Sequence, residues 1–184
     1  MGSDAPRADT IASHFGWFPL FAVAIFFAAA ASDGAEEREH KSVAFLAVDY
    51  NGGNAAYAPA SAAEQARIAA IQAQFQDRLA ETGRFTFVAV PPAVRARIDK
   101  DQAIGECGGC EITYGRELGG DVVAWINVQK VSSVILNVNV YVADVDTQRI
   151  KFVRSVDIRS DDDDESWSRS LDYLIKHHLL ETPI

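Results

Sequence analysis

The sequence predicts an α/β fold: a single domain with a five-stranded mixed sheet, three strands parallel and the rest joined by antiparallel hairpins, packed with helices. Three observations predict it. A strand-like apolar run, a helix with its own start signal and a second strand-like run follow one another between residues 42 and 90, the order of a right-handed parallel crossover. Three runs rich in β-branched residues then follow between 121 and 159 with short connections, the order of hairpins. The composition, 184 residues with 48% hydrophobic and 23% charged side chains, suits one ordinary core and no second domain.

Ahead of the domain, Phe15 to Ala31 runs seventeen residues without a charge, contains Pro19 and ends in small residues. Ala29 and Ala31 have the small-x-small spacing of a cleavage site, so residues 1–31 read as a secretory signal peptide cut near Ala31, with a cut after Ala35 as a variant. The opening is unlike that of a signal peptide, because Asp4 and Asp9 outweigh Arg7. The rival reading is an uncleaved membrane anchor, since the segment is at the lower limit of a bilayer span. No cysteine lies near the expected cut, which predicts no lipid anchor. Residues 32–41 are polar and charged, a flexible lead-in, and the domain is expected over 42–184.

Ser42 to Asp49 is a short apolar run bounded by polar residues, the pattern of a strand buried on both faces. A loop follows with Asn51, Gly52, Gly53, Asn54 and Pro59. Ser61 and Glu64 form a capping box, and Ile68, Ile71, Phe75 and Leu79 lay one apolar stripe along the helix that it opens, which Gly83 ends. Phe85 to Val90 is a strand that stops at Pro91 and Pro92. Ala93 to Ile98 reads as a short helix and Asp99 to Glu106 as a loop. Glu111 to Leu118 is a helix closed by Gly119 and Gly120. Asp121 to Gln129, Ser133 to Asp144 and Arg149 to Arg159 are consecutive strands, with turns expected at Lys130 to Ser132 and at Asp146, Thr147 and Gln148. The last helix follows the acidic run Asp161 to Glu165 and buries Trp167, Leu171, Leu174, Ile175 and Leu179.

The stretch from Gly109 to Ile150 carries a resemblance. A helix ending in Leu118-Gly119-Gly120-Asp121, an apolar strand, a long strand finishing in Asp144-Val145-Asp146-Thr147 and a third strand opening on Arg149 resemble the N-terminal domain of TolB and related envelope proteins. With Cys107, Gly109-Cys110-Glu111, Gln129-Lys130-Val131-Ser132, Ser155 to Arg159 and Glu165-Ser166-Trp167, the chain more closely resembles an uncharacterised family of bacterial secreted proteins with a domain of unknown function, over about Val43 to Leu180. The resemblance implies a TolB N-terminal-like fold and a periplasmic location, with no activity attached. It also associates the family with quinoprotein-type alcohol oxidation. The Cys pair and the acidic run depart from TolB, so no TolB contact carries over to this chain.

Cys107 and Cys110 are the only cysteines, and an even pair in an oxidising compartment predicts a structural disulfide. A redox site is the alternative, since a helix start lowers a thiol pKa, but the pair follows two strands instead of directly following the first. Haem attachment requires histidine where Glu111 stands. Zinc requires about four ligands, and His40, His177 and His178 are distant in sequence. The acidic run lacks the spaced acids and glycine of a calcium loop and reads instead as charge at the positive end of a helix. No metal or other cofactor is expected. There is no G-x-S-x-G, H-E-x-x-H, Walker or G-x-G-x-x-G pattern, so no enzyme is expected either.

Alternation along the strands gives the sharper expectation. Val122, Ala124, Ile126 and Val128, with Val134, Leu136, Val138, Val140 and Val142, should meet the helices. The opposite face then carries Trp125, Asn127, Gln129, Ile135, Asn137, Asn139 and Tyr141, joined by Lys151, Val153, Ser155, Asp157 and Arg159. Trp125, Asn127, Gln129, Asn137, Asn139 and Tyr141 are the expected binding residues, because amphipathic aromatics beside amides are common anchors at interfaces. The bland alternative is a solvated face, or one covered by the last helix through Trp167. The formal net charge of -9 gives no positive field for nucleic acid or anionic lipid. The expected function is therefore a periplasmic binding or assembly module whose partner is another periplasmic or envelope protein, with membrane contact only through an uncleaved N-terminal segment. The second expectation is an accessory of a periplasmic quinoprotein-type oxidation system that binds a small molecule or uses the thiol pair.

Overall fold

The computed structural model describes residues 40–52, 59–100, 103–132, 134–159 and 161–184, all within one compact unit, Glu37–Ile184. The expected export segment, 1–31, and residues 32–39 of the lead-in lie outside them. Among the described residues, no helix is long and apolar enough to cross a membrane.

The chain forms one five-stranded sheet in the order β2-β1-β3-β4-β5. Strand β1 (Lys41–Gly52) leads to helix α1 (Ala62–Ala80). Ser61 caps α1 with the expected reciprocal bonds: its side chain accepts from the Glu64 N–H at 3.3 Å, and Glu64 Oε2 accepts from the Ser61 N–H at 2.8 Å. Strand β2 (Phe85–Phe87) returns parallel to β1. It is shorter than the expected 85–90: one further bond, Val88 N–H to Val43 O, ends the pairing, because the chain must leave the sheet for Pro92 to open helix α2 (Pro92–Ile98). Helix α3 (Cys110–Leu118) follows and stops at Gly119. Gly120 cannot be replaced at its position without movement, since a Cβ there would stand 3.0 Å from both Ala44 Cβ and Ala44 N. At this junction the Asp121 carboxylate accepts from Ser42 N–H and Ser42 Oγ at 2.7 Å each, joining the starts of two parallel strands.

Strand β3 (Val122–Ser132) pairs parallel to β1 and antiparallel to β4 (Ile135–Asp144), and β4 pairs antiparallel to β5 (Arg149–Ile158). Three strands are thus parallel and the rest are hairpins, as expected. The first hairpin is tighter than expected. Lys130 pairs with Leu136 and Ser132 with Ile135, so β3 absorbs the residues read as a turn and Val131 becomes a bulge. Val134, expected on the core face, falls in the turn and is exposed. In the second turn, Asp144 Oδ1 accepts from the Thr147 N–H at 2.7 Å and from its hydroxyl at 2.8 Å. A second bulge leaves Lys151 without a partner on β4. Helix α4 (Asp164–Leu174), capped by the Asp163 side chain, continues as a π-helical turn over Ile175–Leu179.

Each face of the sheet has its own core. On the first, Val122, Ala124, Ile126, Val128, Leu136, Val138, Val140 and Val142 pack against Ile71, Phe75 and Leu79 of α1 and Trp167, Leu171 and Leu174 of α4. On the second, Ala44, Leu46, Val123, Trp125 and Ala143 pack against Val94 and Ile98 of α2 and Tyr114 of α3. Trp167 therefore belongs to the first face and does not cover the second. The short helices α2 and α3 cover only the end of the second face that carries these residues.

Strand β1 is bulged between the two ends. Phe45 stands beside Ala124 and Val48 beside Ile126, so β1 spends one residue more than β3 over this step. Phe45, Val48 and Tyr50 consequently all belong to the first core, and Asp49 and Asn51 turn to the second face.

Candidate functional site

Beyond the last residues touched by α2 and α3, the second face is polar and, among the described residues, uncovered. The hairpin register places the expected residues directly opposite one another: Trp125 and Tyr141, Asn127 and Asn139, Gln129 and Asn137. The neighbouring strands extend the rows. Asp49 and Asn51 of β1 stand beside Asn127 and Gln129, and Val153, Ser155 and Asp157 of β5 stand beside Tyr141, Asn139 and Asn137.

A cleft of about 320 Å³ opens over these rows. Trp125, Asn127, Gln129, Asn139 and Tyr141 line it, together with Asn51 and with Ile104, Gly105 and Glu106 from the loop before α3. Asn139 Nδ2 donates to the Asn127 carbonyl at 3.2 Å, which fixes its amide across the hairpin. Asn137 does not line the cleft. With its amide nitrogen turned toward β5, it donates to Asp157 Oδ1 at 2.7 Å.

Trp125 differs most from its expected role. It is 4% exposed, where alternation predicts an open surface residue. Its ring is stacked on Tyr141 with centroids 5.0 Å apart and planes 2° from parallel, and the loop before α3 closes over it. Gly105 makes this approach, at φ +98°, where a Cβ would lie 2.9 Å from Trp125 Nε1. Trp125 is the floor of the cleft, and the polar side chains around it are the accessible part.

The loop is held at its far end. The Gly105 N–H donates to Glu111 Oε1 at 2.6 Å, and Glu111 is itself buried. Cys107 and Cys110 form the expected disulfide, which closes the last turn before α3. Cys107, Cys110 and Glu111 bring three ligand-type atoms within 4.8 Å of one another, but both sulfurs are bonded to each other and the carboxylate is bound to Gly105. Gly105→Ala is expected to destabilise the domain by about 1–3 kcal/mol, from the strained φ and the contact with the indole. Denaturant unfolding followed by Trp fluorescence measures this, and a variant as stable as the parent would contradict the packing described.

The charge in the cleft is negative. Glu106 lies in its wall, and Asp49, which does not line it, stands beside Asn127 on the neighbouring strand. The Asp49 pKa is raised, first by burial and then by the charge of Glu106, against a backbone hydrogen bond from Tyr50. Carboxamides donate and accept hydrogen bonds but take up no proton near neutral pH. The arrangement orients a ligand more readily than it performs proton transfer.

A second polar cluster lies on the other face. Lys130 Nζ bonds Glu64 Oε1 and Asp162 Oδ2, each at 2.6 Å, and the Tyr50 hydroxyl donates to the same Glu64 oxygen at 2.6 Å. Asp162 Oδ1 also accepts from Trp167 Nε1 at 2.8 Å and Arg67 Nη1 at 3.0 Å. Lys130, with the Tyr50 hydroxyl second, holds the Glu64 pKa down at about 2, whereas burial and the Glu64 contact push Tyr50 up to about 12. The acidic run thus does more than sit at the positive end of a helix. Asp162 ties the two helices to β3, Asp163 caps α4 and Asp164 pairs with Arg67 at 2.8 Å. These side chains satisfy one another and form a structural network.

The sequence reading did not find Asn51, Asp49 and Glu106. The signal for the first two was the polar alternation Asp49-Tyr50-Asn51, which comes into phase with the other strands only after the bulge. Glu106 carried no signal, being one acid in a loop.

Among solved structures, the chain is similar to the C-terminal domain of LpoB from Salmonella enterica, at 14% identity over 70% of this chain and 87% of that one, with a TM-score of 0.47. It is also similar to the lipoprotein GNA1162 from Neisseria meningitidis (14% identity, 66% and 81% coverage, TM-score 0.42). A further likeness is to TolB from Acinetobacter baumannii (13% identity, 76% of this chain and 29% of that one, TM-score 0.40). No curated protein matches the chain. Residues 41–179 match the family described as "Protein of unknown function (DUF2380)", and the chain belongs to that family, DUF3280, as the residues around its cysteine pair implied.

Proposed function

We propose that this protein is a non-catalytic binding or assembly module of the periplasm, and that it engages another periplasmic or envelope protein through the open half of its second sheet face. One observation carries the reading. Strands β1, β3 and β4 run past the helices that cover them, and the uncovered rows present Asn51, Asn127, Gln129 and Asn139 around the Trp125–Tyr141 floor. Four carboxamides on rigid strands form an oriented hydrogen-bonding surface without groups placed for bond cleavage. The periplasmic assignment rests on the segment Phe15 to Ala31, through which any membrane contact would run. A second reading, an accessory of a quinoprotein-type oxidation system, has one support: a cleft of about 320 Å³ is at the lower end of the sizes that hold small ligands.

The test is photo-cross-linking in periplasmic extract with a reactive side chain at Gln129, compared with the same group at Ala73 on α1. A discrete adduct is expected from Gln129 alone, and its loss is expected in an Asn127→Arg/Asn139→Arg variant that keeps its melting temperature. Equal capture at both positions would refute the module reading. A small molecule retained in native mass spectrometry, with no adduct at Gln129, would favour the accessory instead.

A further inference from the structure

We propose that the cleft receives a cationic side chain, arginine in preference to lysine, from a basic segment of the partner protein. The inference deepens the contact surface assigned above and rests on it.

The first ground is uncompensated charge. Among the described residues, none that lines the cleft is cationic, and neither Glu106 nor Asp49 has an ion-pair partner. Glu106 is the one acid among the described residues that lines the cleft. Glu106 lies in the cleft wall and its charge also acts on Asp49, so a cation seated beside Glu106 would relieve that repulsion. A neutral polyol would satisfy the amides and leave that repulsion in place.

The second ground is hydrogen-bond geometry. A guanidinium offers five donors in one plane and no acceptor. The cleft offers carboxamide oxygens on Asn51, Asn127 and Gln129 beside the carboxylate of Glu106, in rows set by the sheet register. A lysine ammonium supplies the charge but only three donors from one point, so it fits fewer of these acceptors. Tyr141, the half-buried ring of the stacked pair, favours the same choice, because guanidinium packs against aromatic rings.

The test uses three short probes on the intact domain: acetyl-Gly-Arg-Gly-amide, its lysine counterpart and its citrulline counterpart, which keeps the arginine shape without the charge. Binding is read from the Trp125 indole signal and the side-chain amide signals of Asn127 and Asn139 in nitrogen–proton correlation spectra. The arginine probe is expected to shift these signals, with the lysine probe weaker and the citrulline probe at least about tenfold weaker. Glu106→Gln/Asp49→Asn is expected to reduce arginine binding by a similar factor while leaving the rest of the spectrum in place. Should that pair disturb the fold, Glu106→Gln alone, at an exposed position, is expected to weaken binding about threefold. Equal binding of arginine and citrulline probes, or shifts that avoid the cleft, would overturn the proposal. If Gln129 captures a partner by cross-linking while the arginine probe fails, the cationic assignment falls and the contact surface stands.

Discussion

Lys130→Met is expected to destabilise the protein by about 2–4 kcal/mol at neutral pH, because it leaves two carboxylates facing each other with their shared cation removed. The side chains of Glu64 and Asp162 are each 13% exposed, so water does not readily take over from the ammonium. The pH dependence identifies the cause. Glu64 is shifted down from its ordinary 4.5 to about 2. Its contribution is therefore complete above pH 4.5 and is lost as the pH falls through about 2. Linkage sets that contribution at about 3 kcal/mol. In the methionine variant the depression is reduced, since Lys130 is its first cause, while the hydrogen bonds from Tyr50 and Ser61 keep part of it. The stability difference between parent and variant should shrink steadily between about pH 5 and pH 2. Urea unfolding across this range measures both curves. Parallel curves, or a variant within about 0.5 kcal/mol of the parent at pH 7, would contradict the network's role.

Trp167→Ala should cost about 3–5 kcal/mol, the range for removing a large aromatic from a packed core. Trp167 is 1% exposed, stacks on Tyr50 with centroids 6.3 Å apart and donates its indole N–H to Asp162. Two losses are combined in the alanine variant, and Trp167→Phe separates them. Phenylalanine keeps most of the buried ring and loses the hydrogen bond, so about 1–2 kcal/mol is expected. Because Trp167 and Lys130 share Asp162 as partner, their effects should not add. A double-mutant cycle of Trp167→Phe with Lys130→Met is expected to give a coupling of about 0.5–2 kcal/mol. Independent effects would mean that Asp162 does not join the two helices to β3.

Local signals made most of the fold legible. Ser61 with Glu64, the Gly119-Gly120 stop and the stripe from Trp167 to Leu179 each depend on a few neighbouring residues, and all three appear where their spacing placed them. The pairing of Asn127 with Asn139 and of Trp125 with Tyr141 was legible too, because a tight hairpin converts alternation in two strands into a shared face. Lys130 falls in the expected turn, Lys130 to Ser132, because both of its ends are polar. Only Asp162 and Glu64, 32 and 66 residues away, show why a lysine stays in the strand. The burial of Trp125 was equally out of reach, since alternation predicts a face and says nothing of a loop folded back over it. In β1, the continuous apolar run from Val43 to Val48 carries no alternation at all, so nothing local marks where its phase changes.

That change of phase gives the length of β1 a meaning of its own. The bulge that absorbs the extra residue at Leu46-Ala47 decides which way everything after it points. It sends Tyr50 to Glu64 on one side of the sheet and Asn51 to the cleft on the other. Were the extra residue taken up by plain alternation instead of a bulge, Val48 and Tyr50 would face the cleft and Asp49 and Asn51 the core, whereas removing Ala47 would set Leu46 opposite Trp125 and keep all four on their present faces. The bulge between Phe45 and Val48 therefore holds the stabilising network and the cleft in phase together, and a pairing slip of one residue beyond it would disable both at once where point substitutions affect them one at a time.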